Sequence, residues 1–229
     1  MPIDFQRIRA LTFDCYGTLI DWDGGIRAAL AAMPSLKGCD MERLVREREE
    51  AEHPLLAGEF RQYGEILALS LRSAAASQQR TLAQAEVAGF VASMPHWPAF
   101  SDCGPALRRL AMSHVLGIVS NVETKTLQAS VKVIGAPFLA LITAEAVRSY
   151  KPAPKHWEAA LTRLHQRREA LLHVAGSLYH DIRPASALGI ATAWINRRHE
   201  PVPDDVDPET VFPDLASLAA LVCGPVDVA

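Results

Sequence analysis

Residues that could do chemistry follow four short apolar segments of this 229-residue chain. They are Asp14, Ser120 with Asn121, Lys151, and the segment 176–181, which ends in Asp181. A carboxylate can attack an electrophile and leave an ester that water later cleaves, so a carboxylate beside an ammonium and hydroxyls is typical of hydrolytic chemistry. In open parallel sheets, ligands bind just beyond the carboxyl ends of the strands. If the four segments belong to one such sheet, these side chains converge on one rim.

The elements that must position these residues alternate between strands and helices. Apolar runs closed by turns predict strands at 10–13, 114–119, 139–143, 171–175 and 192–196. Helical patterns follow most of them, at 124–134, 154–164 and 184–188. This alternation indicates βαβ units. We therefore expect an α/β fold with a Rossmann-like core, in which helices flank a mostly parallel sheet.

The stretch 23–93 differs because it contains no convincing strand. It favours helices, of which 41–52, 60–73 and 84–92 are the clearest, and the first of these is densely charged. Pro95, Pro98 and Gly104 then punctuate the return to the α/β pattern. We expect a catalytic core domain at 1–20 and 97–229, with a helical cap domain at 21–96 inserted after the first strand.

Composition excludes several classes of protein. The chain is 49% hydrophobic and 21% charged, which is ordinary for a packed globular protein. A net charge of -3 gives no basic field for nucleic acid. The four cysteines are scattered, which argues against disulfides and a zinc site. No signal peptide or membrane-spanning run is visible, so we expect a cytoplasmic protein without a membrane partner.

Four motifs resemble those of the haloacid dehalogenase superfamily. The segment 13–19 (FDCYGTL) is similar to its first motif, Ser120-Asn121 to its second, Lys151-Pro152 to its third and 176–181 (GSLYHD) to its fourth. The resemblance spans the chain, and 194–197 (WINR) is similar to the (S)-2-haloacid dehalogenase branch. It implies a catalytic set of Asp14, Lys151, Asp181, Thr18 and Ser120. In that set Asp14 is the nucleophile, Thr18 and Ser120 orient it, and Lys151 keeps it ionised because a nearby cation lowers a carboxylate pKa.

Tyr16 and Ser177 bear on the choice between phosphatase and dehalogenase. Phosphatases of this superfamily typically carry a second aspartate two residues after the nucleophile, which protonates the leaving alkoxide. Tyr16 stands there instead, and a halide needs no proton to depart. Ser177 is a poorer ligand for Mg²⁺ than an aspartate. We therefore expect metal-independent carbon–halogen chemistry without a cofactor.

The mechanism that the resemblance implies begins with attack of Asp14 on C2 of a short 2-haloacid. Water then cleaves the ester, with Asp181 and Lys151 as the groups that orient or activate it, while backbone N–H groups near Ser120 and Asn121 hold the substrate carboxylate. In the expected cap, Arg46 resembles the halide-binding arginine of that branch, and Arg48 is the second candidate for this role. The expected substrate-binding residues are Tyr16, Asn121, Arg46, Trp157 as an aromatic lining residue, Ser177, His180 and Cys15.

The fourth motif departs from the branch at Leu178, where an asparagine that positions the hydrolytic water is typical. Either His180 or Tyr179 compensates, or the natural substrate is not an ordinary haloacid. Opening of a strained ring such as azetidine-2-carboxylate is one alternative, with His180 as proton donor. A Mg²⁺-dependent phosphatase and a non-catalytic binding protein are the others. The expected partner is a small carboxylate, and a homodimer is left open.

Overall fold

A computed structural model describes residues 3–224, which form a six-stranded parallel sheet and ten α-helices. The strands lie in the order β3-β2-β1-β4-β5-β6. Their bounds are β1 Ala10–Phe13, β2 Val115–Ser120, β3 Ala140–Thr143, β4 Leu171–Ala175, β5 Ala191–Ile195 and β6 Val211–Phe212. The predicted α/β fold with a parallel sheet is confirmed.

The sheet order places β1 at the centre, between β2 and β4. Phe13 is in register with Ile118 on one side and with Val174 on the other. Chain order reverses at β1, because β2 and β3 lie to one side of it and β4 to β6 to the other. Such a reversal opens a crevice beyond the carboxyl ends of the strands, where ligands bind in open α/β sheets. Asp14 emerges at this crevice.

Helices cover the sheet and fill the segment between β1 and β2. They are α1 Trp22–Ala31, α2 Met41–Ala57, α3 Tyr63–Ser77, α4 Gln84–Ser93, α5 Cys103–Leu110, α6 Thr124–Ile134, α7 Ala144–Val147, α8 Lys155–Leu164, α9 Arg183–Ala187 and α10 Leu215–Cys223. The sequence pattern did not predict β6, α5, α7 or α10. The expected end of the 41–52 helix is wrong, since α2 continues through Pro54 to Ala57.

Apolar residues of the helices between β1 and β2 pack into the same buried cluster as the strands. Leu44 of α2 and Ile66 and Leu67 of α3 share this cluster with Leu11 and Phe13 of β1. Burial of this kind holds the inserted helices against the carboxyl edge of the sheet. Within residues 3–224, no helix is both long and apolar enough to cross a bilayer.

Candidate active site

Asp14 stands immediately after β1, and its backbone N–H continues the sheet by donating to the Val174 carbonyl at 3.0 Å. Its two carboxylate oxygens have different donors. Oδ1 accepts from Lys151 Nζ at 2.8 Å, and Oδ2 accepts from Thr18 Oγ1 at 2.7 Å. The residue is 7% exposed and lines a pocket. A carboxylate fixed at both oxygens yet facing a cavity is preorganised to attack a bound electrophile.

Lys151 joins the two acids of the site. Its Nζ donates to Asp14 Oδ1, to Asp181 Oδ1 at 2.6 Å and to the Val119 carbonyl at 3.1 Å. Burial opposes the positive charge of Lys151, but the carboxylates of Asp14 and Asp181 outweigh burial and hold its pKa above the usual value. The ammonium therefore remains charged and offsets part of the negative charge of the two acids.

Asp181 is buried and contacts His173, a residue to which the sequence assigned no role at the site. His173 Nε2 lies 3.0 Å from Asp181 Oδ1, and its Nδ1 lies 2.9 Å from Thr12 Oγ1. Burial alone would raise the pKa of Asp181, yet Lys151 and His173 outweigh burial and lower the pKa to about 2. An ionised Asp181 accepts from an Nε2–H tautomer of His173, whose Nδ1 then accepts from the Thr12 hydroxyl. A histidine inside the apolar segment 171–175 was the available signal.

The loop after Asp14 approaches the loop after β4 closely. Gly17 has φ +89°, a backbone region that side chains rarely adopt. A Cβ on Gly176 would lie 2.9 Å from the Gly17 carbonyl oxygen, so glycine is needed there as well. The Gly176 N–H donates to Thr18 Oγ1 at 2.8 Å, which orients the Thr18 hydroxyl towards Asp14. Thr18 therefore positions the carboxylate as expected.

Ser120 and Asn121 end β2 at the same rim and line the pocket. The Asn121 side chain is occupied by the backbone of Lys151: Oδ1 accepts its N–H at 2.7 Å, and Nδ2 donates to its carbonyl at 3.3 Å. Asn121 thus anchors the segment that carries Lys151. The expected contact of the substrate carboxylate with backbone N–H groups near Asn121 stays a prediction.

A pocket of about 420 Å³ lies between this rim and helix α2. Arg48 of α2 forms part of the pocket wall and is 1% exposed. It donates to Glu52, which also accepts from the Tyr63 hydroxyl at 2.6 Å, and its guanidinium carbon lies 5.3 Å from the centre of the Trp22 ring. Burial opposes the charge of Arg48, but Glu52 outweighs burial and raises the Arg48 pKa. Helix α2 therefore supplies a permanent cation to the pocket.

Arg46 lies elsewhere, and the expectation that it faces the site is wrong. Its side chain is 62% exposed and pairs with Glu50 at 3.7 Å. The buried positions of α2 are Leu44, Val45, Arg48 and Glu52, whose spacing of three and four residues puts them on one face. Position 46 falls on the opposite face, so helix geometry excludes it from the pocket.

Trp157 and Cys15 do not line the pocket, which corrects two further expectations. Trp157 is fully buried in the cluster between α8 and the sheet, where its ring lies 5.6 Å from that of His173 in an edge-on arrangement. Cys15 is fully buried beside the nucleophile, and burial raises its thiol pKa. Both residues support the site from behind and cannot touch a substrate.

Tyr16 lines the pocket, but its hydroxyl points away to α6, where it lies 2.7 Å from Ser130 Oγ. Burial raises the Tyr16 pKa far above its usual value. Its ring packs against Trp22 and Trp97, with centroids 5.9 and 6.3 Å apart. Tyr16 therefore presents an aromatic surface to the pocket and no available proton donor.

Ser177 and His180 also line the pocket, as predicted. The His180 N–H donates to Ser177 Oγ at 3.1 Å, and Nδ1 of the ring lies 3.2 Å from the same oxygen. Burial lowers the His180 pKa below its usual value. The ring is therefore neutral near neutral pH.

Comparison with known proteins establishes the family. The model of the haloacid dehalogenase-like hydrolases matches residues 8–189, which is more than half of the chain. The chain belongs to the haloacid dehalogenase-like hydrolases. Among relatives of this hydrolase, haloacetate dehalogenase H-2 of Moraxella sp. (strain B) is 29% identical over 197 residues, covering 84% of this chain and 87% of that protein. (S)-2-haloacid dehalogenase H-109 of Pseudomonas putida is 28% identical, covering 84% and 88%.

Solved structures show the same architecture. The L-2-haloacid dehalogenase RSc1362 superposes on this haloacid dehalogenase-like hydrolase with a TM-score of 0.84 at 26% identity, covering 94% of this chain and 98% of that one. The L-2-haloacid dehalogenase of Xanthobacter autotrophicus gives a TM-score of 0.81 at 20% identity, covering 95% and 99%. At 20% identity, the likeness to the Xanthobacter enzyme shows a shared fold alone.

One hydrolase of the same fold, YfnB of Bacillus subtilis, is bound to magnesium, with a TM-score of 0.80 at 18% identity, covering 96% of this chain and all of that one. The donor set here fits that ion poorly. Asp14 and Asp181 both pair with Lys151, and neither Tyr16 nor Ser177 adds a carboxylate. Mg²⁺ demands near-octahedral oxygen ligands. We therefore derive no step through a metal.

Proposed function

We propose that this hydrolase dehalogenates short 2-haloacids to 2-hydroxyacids through a covalent ester on Asp14. The observation that carries the proposal is the Asp14 carboxylate, fixed by Thr18 and Lys151 at the base of a small pocket with a buried arginine in its wall. The curated relatives named above act on haloacetate and (S)-2-haloacids according to their names. We also propose 21–96 as the cap domain and 1–20 with 97–229 as the core.

In the first half-reaction the Asp14 carboxylate attacks C2, the C–X bond breaks, and halide departs. Lys151 and Thr18 hold the carboxylate in one orientation, which removes much of the entropic cost of the encounter. No general acid is needed because a halide is the anion of a strong acid. The engagement of the Tyr16 hydroxyl with Ser130 supports this chemistry over phosphate-ester cleavage, which needs a proton donor for the leaving alkoxide.

Arg48 is the group that we propose to receive the halide. It lines the pocket from α2, opposite the rim that carries Asp14. A guanidinium fixed by Glu52 and by the Trp22 face is preorganised for charge that develops as the C–X bond breaks. Glu52 also neutralises part of that charge, which favours release of the halide after each turnover.

In the second half-reaction water attacks the ester carbonyl of Asp14 and releases the 2-hydroxyacid. The Lys151 ammonium, held by Asp181, lies 2.8 Å from Asp14 Oδ1 and is placed to stabilise the oxyanion of the tetrahedral intermediate. Backbone N–H groups after β2 remain the proposed site for the substrate carboxylate.

The ring-opening alternative needs a proton donor for a leaving amine, and His180 was the candidate. Burial lowers the His180 pKa, so near neutral pH the ring is in its neutral form and lacks the imidazolium proton that a leaving amine would need. This observation favours the haloacid as substrate.

Halide release from chloroacetate, fluoroacetate and 2-chloropropionate tests the proposed function. We expect release from at least one of them by the parent and none above background by Asp14→Asn, because an amide of nearly equal size is a far weaker nucleophile. Circular dichroism of the variant controls for folding. Equal release by both proteins, or none by the parent from the whole panel, contradicts the proposal.

A further inference from the structure

The segment after Ser177 forms a single π-helical turn, Leu178–Ile182, in which the Ile182 N–H donates to the Ser177 carbonyl at 3.1 Å. Turns of this kind occur frequently at functional sites because they alter the direction of one side chain. The turn fixes His180 at two points on Ser177 and leaves its ring at the pocket wall. Within residues 3–224, no group makes a hydrogen bond to His180 Nε2.

Asp181, the other candidate for a base, is poorly suited to take a proton. Its Oδ1 already accepts from Lys151 and His173. The residue is 1% exposed, and its pKa of about 2 makes it a weak base. These contacts instead make Asp181 the group that holds Lys151 in place.

We propose that His180 is the general base of the second half-reaction, a step that rests on the proposed function. His180 Nε2 takes a proton from water while the water oxygen bonds to the ester carbon of Asp14. The tetrahedral intermediate collapses, the bond from that carbon to the substrate oxygen breaks, and the departing alkoxide takes the proton back from His180. Asp14 is left as a carboxylic acid and loses its proton to solvent, so atoms and charge balance.

The surroundings of His180 suit this role. Charged groups near the ring are Asp181, Lys151 and Asp14 on the core and Glu52 on α2, while Tyr179 packs edge-on at 4.9 Å. A neutral ring has one nitrogen free to accept a proton. In the tautomer whose Nδ1–H donates to Ser177 Oγ, that nitrogen is Nε2, and Ser177 is then the positioning residue for the ring.

His180→Asn tests the step, because the asparagine amide can still reach Ser177 but lacks a base at the Nε2 position. The matched control is His114→Asn, since His114 also contacts a serine, at 2.9 Å from Ser113, at the opposite end of the sheet. Each protein is mixed with excess 2-chloropropionate, quenched at intervals, and analysed for halide and by intact-protein mass spectrometry.

We expect His180→Asn to release one equivalent of halide rapidly and then to turn over about 10²–10⁴-fold more slowly, with the ester accumulating on Asp14. The parent and His114→Asn should show neither the slow turnover nor the accumulated ester. Parental turnover by His180→Asn overturns the proposal, and so does slow turnover without ester, because the loss then lies before the ester forms. Absence of halide from the parent instead contradicts the proposed function, and this step with it.

Discussion

At the scale of residues, one ammonium between two carboxylates organises the site. Lys151 shares its protons between Asp14 and Asp181, and His173 supports Asp181 from the other side. Burying two acids without such partners would be costly, because an uncompensated charge in the interior loses its hydration. The ammonium of Lys151 therefore supplies both buried carboxylates with a compensating charge.

The low pKa of Asp181 has a consequence for stability. A carboxyl whose folded pKa of about 2 lies below its usual value of about 3.9 stabilises the fold above the higher value, and this contribution is lost as pH falls towards the lower one. We expect the parent to lose about 1 kcal/mol more unfolding free energy than Asp181→Asn between about pH 5 and about pH 3. Urea titrations at the two pH values measure this. Equal losses of unfolding free energy in the parent and Asp181→Asn would show that the ionisation of Asp181 does not affect stability.

Arg48 and Arg46 make a matched pair on one helix. Arg48→Lys keeps a charge near Glu52 but loses the guanidinium fork, so we expect kcat to fall by about 10²-fold with little change in KM. Arg46→Lys, at an exposed ion pair, should stay near parental activity. Quenching of Trp22 fluorescence by iodide gives a second readout, because the Trp22 ring lies beside the Arg48 guanidinium. The quenching should weaken only in Arg48→Lys. The opposite ranking would contradict the halide assignment.

Some of these residues could be predicted and others could not. Motif order placed Asp14, Thr18, Ser120, Lys151 and Asp181 in one site because parallel strands deliver their ends to one rim. The choice between Arg46 and Arg48 required the face of α2, which the spacing from Leu44 already indicated. The partnership of His173 with Asp181 depends on how the turn Leu178–Ile182 folds back on β4, which a single sequence does not give.

At the scale of elements, continuous apolar runs predicted five of the strands within a residue of their observed bounds. The two-residue β6 is too short for any periodicity to register. The α2 helix passes Pro54, although proline removes one backbone donor, because the tertiary packing of its Leu44 face outweighs that local cost. Tertiary contacts therefore decide the element bounds that local preferences misplace.

Arg197, just after β5, links α5 and α10 to the loop that follows Asp14. Its guanidinium donates to the Thr18 carbonyl at 3.0 Å and to both carboxylate oxygens of Asp102, the residue just before α5. Asp102 also accepts from the backbone N–H of Leu215 in α10. We expect Arg197→Lys to lose about 1–3 kcal/mol of unfolding free energy and part of kcat, because the planar fork cannot be replaced by a point donor. Urea unfolding measures the first effect.

The control for Arg197→Lys is Arg198→Lys. The Arg198 side chain is 70% exposed, and its ion pairs with Asp23 and Glu200 are both 3.6 Å long. We expect its stability to stay within about 0.5 kcal/mol of the parent. A similar loss of unfolding free energy in both variants would mean that the contacts of Arg197 do not stabilise the fold.

At the scale of the whole molecule, the inserted helices close the crevice at the reversal of strand order. The pocket takes Asp14 from the sheet and its buried cation from α2, so neither part alone forms the proposed site. In the proposed function, bond formation falls to the sheet and recognition of the leaving group to the inserted helices. Strand-end motifs therefore predict the pocket residues on the sheet better than those on α2.

Single turnover in oxygen-18-labelled water tests the proposed covalent ester on Asp14. With enzyme in excess over 2-chloropropionate, water attacks the Asp14 carbonyl, so the label should enter the Asp14 carboxylate and be found by mass spectrometry in the peptide that contains it. The 2-hydroxyacid from that first turnover should carry no label. Label in the product and none in the Asp14 peptide would contradict the account, since water would then have attacked C2 itself.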